Sequence, residues 1–484
     1  MKEGIDKGLP TGWASVRLGD LVHLEYGKSL VKSTRVEAGK FCVFGSSGVV
    51  GLHDRFLVEG PAIIVGRKGA AGSVHYSAEN CWPIDTTYFI RGSQYLLAKF
   101  SYYLLRSLNL ERLEASTAIP GLNRDQAHDE IVLLPPLGEQ NRIVTKIEEL
   151  FSELDKGAES LKTAQAQLKV YRQALLKHAF EGKLTAQWRA DNPDKLETAA
   201  ALQQRIARER QARYQQQLAD WQTAGQAGPK PKTPKPLPPL TAEELAELPE
   251  LPVGWGWMKY GDLCSLVRNG ISAKPEGDSG TPIFRISAVR PMCFDMADIR
   301  YIDNSSGEFD AYRLERGDLV FTRYNGSRQY VGVCAEYRSD EKRLFPDKLV
   351  QTRVSSRLLL TSFLEKALNS GASRAFVESK IRTTAGQSGV SGEDIKNIPV
   401  PVCCLVEQLE IVQELESKLS EADQLELTLT TALQQSEALR QSILKKAFSG
   451  QLVPQDPTDE PAASLLARIK AEQSAAPKAK KARK

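Results

Sequence analysis

Residues 323–328, with the sequence RYNGSR, combine side chains that can contact the edges of nucleic-acid bases. Arg323 and Arg328 flank the triplet Tyr324-Asn325-Gly326, which is a strong turn signal. In the major groove of DNA an arginine pairs bidentately with guanine, and an asparagine pairs with adenine. The segment therefore predicts a loop that presents guanidinium and amide groups to bases. The alternative is an ordinary surface hairpin whose arginines are solvated.

Other basic residues lie beside short predicted strands. Arg67 and Lys68 follow an apolar run at residues 62–65, in a loop comparable to the first one, and Arg285 and Arg290 flank a further short strand. Contacts to phosphates position a protein on DNA, whereas contacts to bases specify the sequence. The sequence does not sort these side chains between the two roles.

Catalysis is the competing hypothesis. Asp347 after a proline, followed by Glu378 and Lys380, fits the PD and ExK pattern of nucleases in which carboxylates hold Mg²⁺. Two such short matches are expected by accident in a chain of this length. The string NPDK at residues 192–195 departs from the N/D-P-P-aromatic pattern of adenine methyltransferases, and no GxxxxGK(S/T) phosphate loop occurs. We therefore expect no catalytic site in this chain.

Composition limits the classes of protein that remain. The seven cysteines and five scattered histidines show no metal-ligand spacing, so we expect neither disulfides nor a bound metal or cofactor. No apolar run is long enough to span a membrane, and the charged start does not resemble a secretory signal, so we expect a cytoplasmic protein. A formal net charge of +4 is compatible with a nucleic-acid partner but does not identify one.

An internal repeat organises the chain. Shifting the sequence by 268 positions places residues 139–187 on residues 407–455 without a gap, with 21 identities in 49 positions. Apolar residues recur every seven positions in both copies, which predicts two long amphipathic helices that pack on another helix. Gly182 and Gly450 lie where the helices are expected to end. The residues expected to pack in the spacer helices are Ile147, Leu154, Leu161, Leu168, Leu175, Leu415, Leu429 and Ile443.

A second repeat marks the start of each globular segment. PTGWASVRLGDL from Pro10 resembles PVGWGWMKYGDL from Pro252, and it aligns Trp13 with Trp255, which we expect to pack in a core. This offset is 242 residues, so the second globular segment is longer by 26 residues. The segments agree at their edges and differ inside. A polar helix at residues 196–224 and a proline-rich spacer from Pro229 connect the halves.

These observations predict an α+β protein: two mixed, strand-rich domains separated by two long helices that pair as an antiparallel coiled coil, with an internal pseudo-twofold repeat. The predicted ranges are 1–135 for the first domain, 136–190 for the first spacer helix, 191–250 for a helical and proline-rich linker, 251–400 for the second domain, 401–455 for the second spacer helix and 456–484 for a C-terminal segment with a basic tail.

The arrangement resembles the specificity subunits of type I restriction-modification systems across nearly the whole chain. The residues that carry the resemblance are GEQNRIV at 138–144, VEQLEIV at 406–412, and the closings RQALLKHAFEGKLT and RQSILKKAFSGQLV. RNGISAKPEGDSG from Arg268, LVFTRYNGS from Leu319 and PDKL from Pro346 resemble a recurrent second recognition domain of that family. Ser327 and Lys348, which lie in these motifs, join the residues expected to contact DNA.

The resemblance implies that each domain reads one half of a split target in double-stranded DNA and that the paired helices fix the gap. Because the domains differ inside, we expect an asymmetric target. The family implies two modification subunits that bind S-adenosylmethionine, and restriction subunits that use ATP and Mg²⁺. The alternative is a coiled-coil assembly adaptor without sequence-specific DNA binding.

Overall fold

The computed structural model describes residues 9–93, 95–113, 121–226, 230–231, 233–275, 278–354, 357–384 and 386–475. The chain divides into two compact units. The first unit is Met1–Ala164 with Thr428–Lys484, and the second unit is Gln165–Leu427. The predicted proline-rich spacer is described only in part, because residues 227–229 and 232 lie outside these ranges. The predicted basic tail also lies outside them.

Short strands build the globular part of each unit. In the first unit, the strands are β1 (Ala14–Arg17), β2 (Glu25–Tyr26), β3 (Phe41–Gly45), β4 (Gly48–His53), β5 (Ala62–Gly66), β6 (Val74–Ser77), β7 (Cys81–Pro83), β8 (Thr87–Arg91) and β9 (Ile131–Leu134). In the second unit, they are β10 (Gly256–Lys259), β11 (Cys264–Asn269), β12 (Thr281–Phe284), β13 (Val289–Arg290), β14 (Cys293–Phe294), β15 (Ile299–Ile302), β16 (Leu319–Thr322), β17 (Tyr324–Asn325), β18 (Cys334–Glu336), β19 (Leu349–Val354), β20 (Arg382–Thr384), β21 (Gln387–Gly389) and β22 (Pro399–Val402).

Two helices are much longer than the others. The helices are α1 (Ala98–Ser107), α2 (Arg124–Asp129), α3 (Leu137–Phe180), α4 (Ala186–Asp191), α5 (Ala199–Thr223), α6 (Ala242–Ala246), α7 (Tyr260–Leu263), α8 (Thr361–Leu368), α9 (Gly371–Lys380), α10 (Gly392–Lys396), α11 (Leu405–Phe448) and α12 (Ala462–Ala475). Both α3 and α11 have 44 residues. Among the described residues, no helix is long and apolar enough to cross a membrane.

The two globular domains, called domain 1 (β1 to β9) and domain 2 (β10 to β22), share one central sheet topology. The strand order is β2-β8-β5-β6 in domain 1 and β11-β19-β16-β18 in domain 2, with antiparallel pairing throughout. The central strands β5 and β16 are buried along their whole length, as their continuous apolar sequences require. The smaller sheets differ between the domains: β4-β3-β7 in domain 1, and β12-β15, β13-β14 and β17-β21-β20 in domain 2.

In both domains the first and last strands pair with each other. β1 pairs antiparallel with β9, and β10 pairs antiparallel with β22. The chain therefore enters and leaves each domain side by side, and a long helix begins within three residues of the exit strand. The conserved edges of the sequence repeat are this strand pair and the start of the helix.

The long helices pack antiparallel within each unit. In the first unit, Ile147 near the start of α3 shares a core with Ile443 near the end of α11. In the second unit, Leu175 near the end of α3 shares a core with Leu415 near the start of α11. The predicted antiparallel pairing is thus confirmed. Of the predicted packing residues, Leu154 and Leu161 are half-buried, and the buried ones are Ile147, Leu168, Leu175, Leu415, Leu429 and Ile443.

Each long helix ends at a glycine that is packed against a proline. Gly182 and Gly450 have φ angles of +70° and +72°, the left-handed region that closes a helix. A Cβ on Gly182 would lie 2.4 Å from Cγ of Pro252, and a Cβ on Gly450 would lie 2.3 Å from Cγ of Pro10. The end of each helix therefore packs on the entrance of the other helix's domain.

A further repeat follows each long helix and was not predicted. Residues 197–206 and 460–469 share six identities in ten positions, at an offset of 263 residues. Glu197 pairs with Arg205, and Glu460 pairs with Arg468. These segments begin α5 and α12, which insert apolar side chains into the core of their units. The inserted residues are Leu202, Ile206, Leu465 and Ile469.

The observed helix bounds are narrower than the predicted spacer ranges. Within 136–190 the structure has α3 and then a separate short helix, α4. Within 401–455 the first residues belong to strand β22, and α11 begins at Leu405. Helix α5 lies within the segment predicted as a polar helix. Helix α12 lies in the range 456–484, which was predicted as a C-terminal segment with a basic tail and without a helix.

Candidate nucleic-acid interface

The residue that follows the central strand has the same backbone setting in both domains. β5 ends directly before Arg67, and β16 ends directly before Arg323. The N–H of Arg67 donates to the carbonyl of Thr86 at 2.9 Å, and the N–H of Arg323 donates to the carbonyl of Lys348 at 2.8 Å. Each acceptor directly precedes the neighbouring strand of the sheet.

The carbonyl groups of the two arginines are also bonded alike. Leu122 donates its N–H to the carbonyl of Arg67 at 2.9 Å, and Val390 donates to the carbonyl of Arg323 at 3.0 Å. Leu122 and Val390 are themselves 268 residues apart, the offset of the long helices. Arg67 and Arg323 thus occupy equivalent positions, as their comparable loops predicted.

The turn predicted at Tyr324-Asn325-Gly326 begins later than expected. These two residues form strand β17 and pair with β21, and the chain bends after them at Gly326. The pairing requires a glycine opposite the tyrosine: a Cβ on Gly389 would lie 2.2 Å from Cδ1 of Tyr324. Pairing with a strand more than 60 residues away therefore overrides the local turn signal.

A groove of about 640 Å³, the domain 2 groove, gathers half of the residues predicted to contact DNA. Those that line it are Arg285, Arg290, Tyr324, Asn325 and Lys348. Lys274 and Arg300 also line it, and sequence reasoning missed both. Asp347 is the single carboxylate among these lining residues, against five cationic side chains. The charge of the groove therefore favours a polyanion.

Local contacts hold the groups of the domain 2 groove in place. The guanidinium of Arg290 stacks 4.5 Å from the ring centroid of Tyr330, and Nη1 of Arg290 donates to the carbonyl of Val289. Nε of Arg285 lies 3.6 Å from Oδ1 of Asp298. Oδ1 of Asn325 accepts the backbone N–H of Ser327 at 2.9 Å. This turn uses the carbonyl of the asparagine side chain and leaves its amide nitrogen for another acceptor.

Three residues of domain 2 that were predicted to contact DNA are not in the lining of the groove. The guanidinium of Arg323 lies 4.8 Å from the ring centroid of Tyr324, and its buried Nε has no hydrogen-bond partner among the described residues. Ser327 and Arg328 are exposed on the loop, where Nη2 of Arg328 donates to the carbonyl of Glu378. Arg323 therefore supports Tyr324 from within the domain.

In domain 1 the equivalent arginine stacks on a tyrosine from another strand. The guanidinium of Arg67 lies 5.3 Å from the ring centroid of Tyr26, and its Nε donates to the carbonyl of Asp85 at 3.2 Å. Lys68 is exposed on the same loop. A second guanidinium, that of Arg124, lies 5.5 Å from the same ring. Sequence reasoning missed Tyr26 and Arg124.

A buried phenol lies beneath Tyr26. The ring of Tyr88 is 5.1 Å from the ring of Tyr26, and the Tyr88 hydroxyl donates to the carbonyl of Leu122 at 3.2 Å. Burial raises the pKa of Tyr88 to about 12, so its hydroxyl keeps the proton that it donates. This bond ties the segment before α2 to the central sheet.

The acidic residues considered for a nuclease have local partners. Asp347 accepts a hydrogen bond from Oγ of Ser272 at 3.2 Å, and Glu378 forms an ion pair with Arg374 at 2.9 Å. Across the described ranges, no group of three or more His, Cys, Asp or Glu side chains is placed to hold a metal ion.

The fold defines a class: a chain with two globular domains built on one scaffold, each followed by a long helix, and the two long helices pair. A family model described as "Type I restriction modification DNA specificity domain" matches residues 10–163, which comprise domain 1 and the first part of α3. The match thus covers the domain that carries Tyr26, Arg67 and Arg124.

Similar proteins extend the match to nearly the whole chain. The type I restriction enzyme EcoKI specificity subunit of Escherichia coli K12 is 29% identical and covers 94% of this chain and 90% of its own length. The StySPI specificity subunit of Salmonella potsdam is 25% identical, with 98% of each chain covered. A chain of a solved type I R-M system, 17% identical, covers 92% of this chain and 99% of its own length with a TM-score of 0.59, and it supports the fold. Over nearly its whole length the chain is thus similar to specificity subunits of type I restriction enzymes.

Proposed function

We propose that this chain selects the DNA target of a type I restriction-modification complex, with each domain reading one half of a split site. The observation that carries the proposal is the equivalence of Arg67 and Arg323, which follow the central strand of two domains in one chain. A common scaffold that carries basic groups in both domains suits contact with two separate stretches of DNA.

The two half-sites should differ in sequence, because the side chains around the equivalent arginines differ. In domain 1, Tyr26 pairs across the sheet with Tyr88. At the corresponding position of domain 2, Asn269 pairs with Val350. Two tyrosine rings in tilted contact and an asparagine beside a valine cannot make the same contacts. An asymmetric, bipartite target follows.

The long helices are assigned the spacing of the half-sites and the docking of partners. At about 1.5 Å per residue, 44 residues extend roughly 66 Å. Apolar side chains remain exposed on them and offer surfaces for other subunits. These exposed residues are Val170, Tyr171, Val406, Leu409, Leu425, Leu427 and Leu439.

The partners are proposed from the class of the relatives, which are subunits of type I restriction enzymes. We assign to this chain two modification subunits, which bind S-adenosylmethionine and methylate adenine, and restriction subunits, which use ATP and Mg²⁺. This chain itself is proposed to be non-catalytic and to bind no cofactor. Its role is to determine where the complex binds on DNA.

The test is adenine-methylation mapping by single-molecule sequencing of DNA from cells that express this chain with its modification subunit. Cells that lack only this chain are the control. A methylated split motif that depends on the chain supports the proposal and reveals both half-sites and the gap. Unchanged methylation, despite an assembled complex, would reject it in favour of an assembly adaptor.

Asn325 provides the sharpest variant for the second half-site. Asn325→Ala removes an amide in the domain 2 groove, and we expect it to reduce discrimination in one half-site by about 1–3 kcal/mol. The matched control is Asn397→Ala, whose side chain donates to Glu393 in the preceding helix α10. The measurement is binding of target and random DNA by the assembled complex. An equal loss of affinity for target and random DNA would show that Asn325 contacts phosphates and not bases.

A further inference from the structure

We propose that Tyr26, Arg67 and Arg124 form a guanine-reading cluster in domain 1. The inference rests on the proposed function. It adds the base that is read in one half-site, and it adds Tyr26 and Arg124 to the residues that read it. The cluster is defined by these three side chains and is called the Arg-Tyr-Arg cluster below.

The cluster combines an exposed aromatic ring with two cations. Half of the Tyr26 surface, 52%, is exposed. The guanidinium carbons of Arg67 and Arg124 lie 5.3 and 5.5 Å from its ring centroid. Stacking on an aromatic ring stabilises a guanidinium and fixes its plane, which reduces the conformational entropy that base contact costs. An exposed tyrosine with two arginines held against it is therefore a prepared recognition surface.

Both guanidiniums are anchored through Nε. Nε of Arg67 donates to the carbonyl of Asp85 at 3.2 Å, and Nε of Arg124 lies 3.3 Å from Oδ1 of Asp125. These bonds orient each group and do not use the two Nη atoms. The outer edge of a guanidinium matches O6 and N7 of guanine in the major groove. The cluster is thus suited to guanine rather than to adenine, whose N6 is a donor.

The backbone around Arg124 brings the two arginines together. The side chain of Asn123 accepts the N–H groups of Asp125 and Gln126, so Arg124 is the first residue of α2. The preceding Leu122 donates its N–H to the carbonyl of Arg67. Arg67 and Arg124 are therefore positioned by one connected set of hydrogen bonds, although they are 57 residues apart.

At the equivalent described positions, domain 2 carries residues that cannot form this cluster. The position of Arg124 corresponds to Gly392 at the offset of 268 residues, and the position of Tyr26 corresponds to Asn269 by the sheet register. Arg323 stacks instead on its neighbour Tyr324. The cluster is a property of domain 1, so its loss should affect one half-site only.

The experiment uses the full chain assembled with its modification subunits, after the target has been mapped. Arg124→Ala should weaken binding to target DNA about 10-fold and binding to random DNA less than about 2-fold. The matched control is Arg17→Ala in the same unit, which removes an exposed arginine paired with Asp129. It should change either affinity by less than about 2-fold.

Replacing the guanines of the first half-site by 7-deazaguanine, which lacks N7, distinguishes a lost base contact from a loss of protein stability. On this DNA the wild-type complex should lose about as much affinity as Arg124→Ala loses on normal DNA. The affinity of the Arg124→Ala complex should be nearly the same on modified and normal DNA. Substitution in the second half-site should leave the effect of Arg124→Ala unchanged. The two losses should not add, because the arginine variant and the modified base each remove the same contact.

The possible contradictions are distinct. An equal loss on target and random DNA would place Arg124 on phosphates, and a first half-site without guanine on either strand would also overturn the inference. Both results leave the proposed function intact. A wild-type complex that does not prefer any sequence would instead overturn the proposed function.

Discussion

The indole Nε1 of Trp13 donates a 2.9 Å hydrogen bond to Oε2 of Glu139, so the entrance of domain 1 is bonded to the start of α3. Trp13 was predicted to pack in a core, and it is buried as expected. The bond to a buried carboxylate was not predicted. Oε1 of Glu139 accepts from Nε2 of Gln455 at 3.3 Å, which follows the end of α11. Glu139 thus joins three separate segments of the first unit.

The second unit repeats this junction with one difference. Nε1 of Trp255 donates to Oε2 of Glu407 at 2.9 Å. The other oxygen of Glu407 accepts from Nη1 of Arg189 at 2.6 Å and from Oγ1 of Thr185 at 2.8 Å. A cation therefore stands where the first unit has the neutral amide of Gln455. The two junctions should respond differently to substitution.

Glu139→Gln should make the stability of the protein less dependent on pH. Burial raises the pKa of Glu139 above its usual value, which means that ionisation is less favourable in the folded than in the unfolded state. Protonation of Glu139 therefore stabilises the folded state. This stabilisation is fully present below the usual pKa of about 4.3, and it is lost as the pH rises through the raised pKa. From pH 4 upwards, the wild-type protein should therefore lose stability relative to Glu139→Gln.

The measurement is the unfolding midpoint of both proteins between pH 4 and pH 8. Glu25→Gln, which removes an exposed carboxylate paired with Arg91 in the same unit, is the control for a general change of charge. A difference between wild type and Glu139→Gln that stays constant over this range would contradict the assignment.

Arg189→Ala should destabilise the second unit by about 3 kcal/mol. Arg189 and Glu407 have side chains only 12% and 1% exposed, and loss of the cation leaves the carboxylate buried without a charge partner. Glu407→Gln in the same chain should recover part of the loss, because a neutral amide does not need the cation. A double-mutant cycle from urea unfolding gives the coupling energy.

The control for Arg189→Ala is Arg205→Ala. Arg205 also forms an ion pair with a glutamate of the second unit, Glu197, but its side chain is 52% exposed. Its loss should cost less than about 1 kcal/mol. Similar losses for the two variants would show that the junction ion pair contributes no more than a surface pair.

Sequence periodicity predicted the helical part of the molecule well. The 268-residue repeat, the apolar heptads and the terminal glycines Gly182 and Gly450 all correspond to observed features. These signals are local, and a helix needs only neighbours three or four residues away. The shorter repeat that begins α5 and α12 was missed because only six identities mark it.

The recognition surfaces were harder to predict because distant strands build them. Tyr26 belongs to a two-residue strand, too short to show an alternating pattern, and sheet pairing alone brings it near Arg67. In domain 2, pairing of Asn325 with Ser388 of β21 moved the predicted turn to Gly326 and Ser327. Basic residues were singled out by type, and the fold then shows which of them share a groove.

A four-residue insertion after Leu161 should change the gap of the DNA target and leave both half-sites unchanged. One added helical turn extends α3 by about 6 Å, which corresponds to about two base pairs at 3.4 Å each. A second variant carries a matching insertion after Thr430 of α11, so that both long helices remain equal in length. The control inserts the same four residues after Pro238, in the linker, where we expect no change of the gap. Methylation mapping provides the readout. A changed half-site with a constant gap would show that the helices take part in base recognition, and an unchanged site in both helix variants would show that they do not set the spacing.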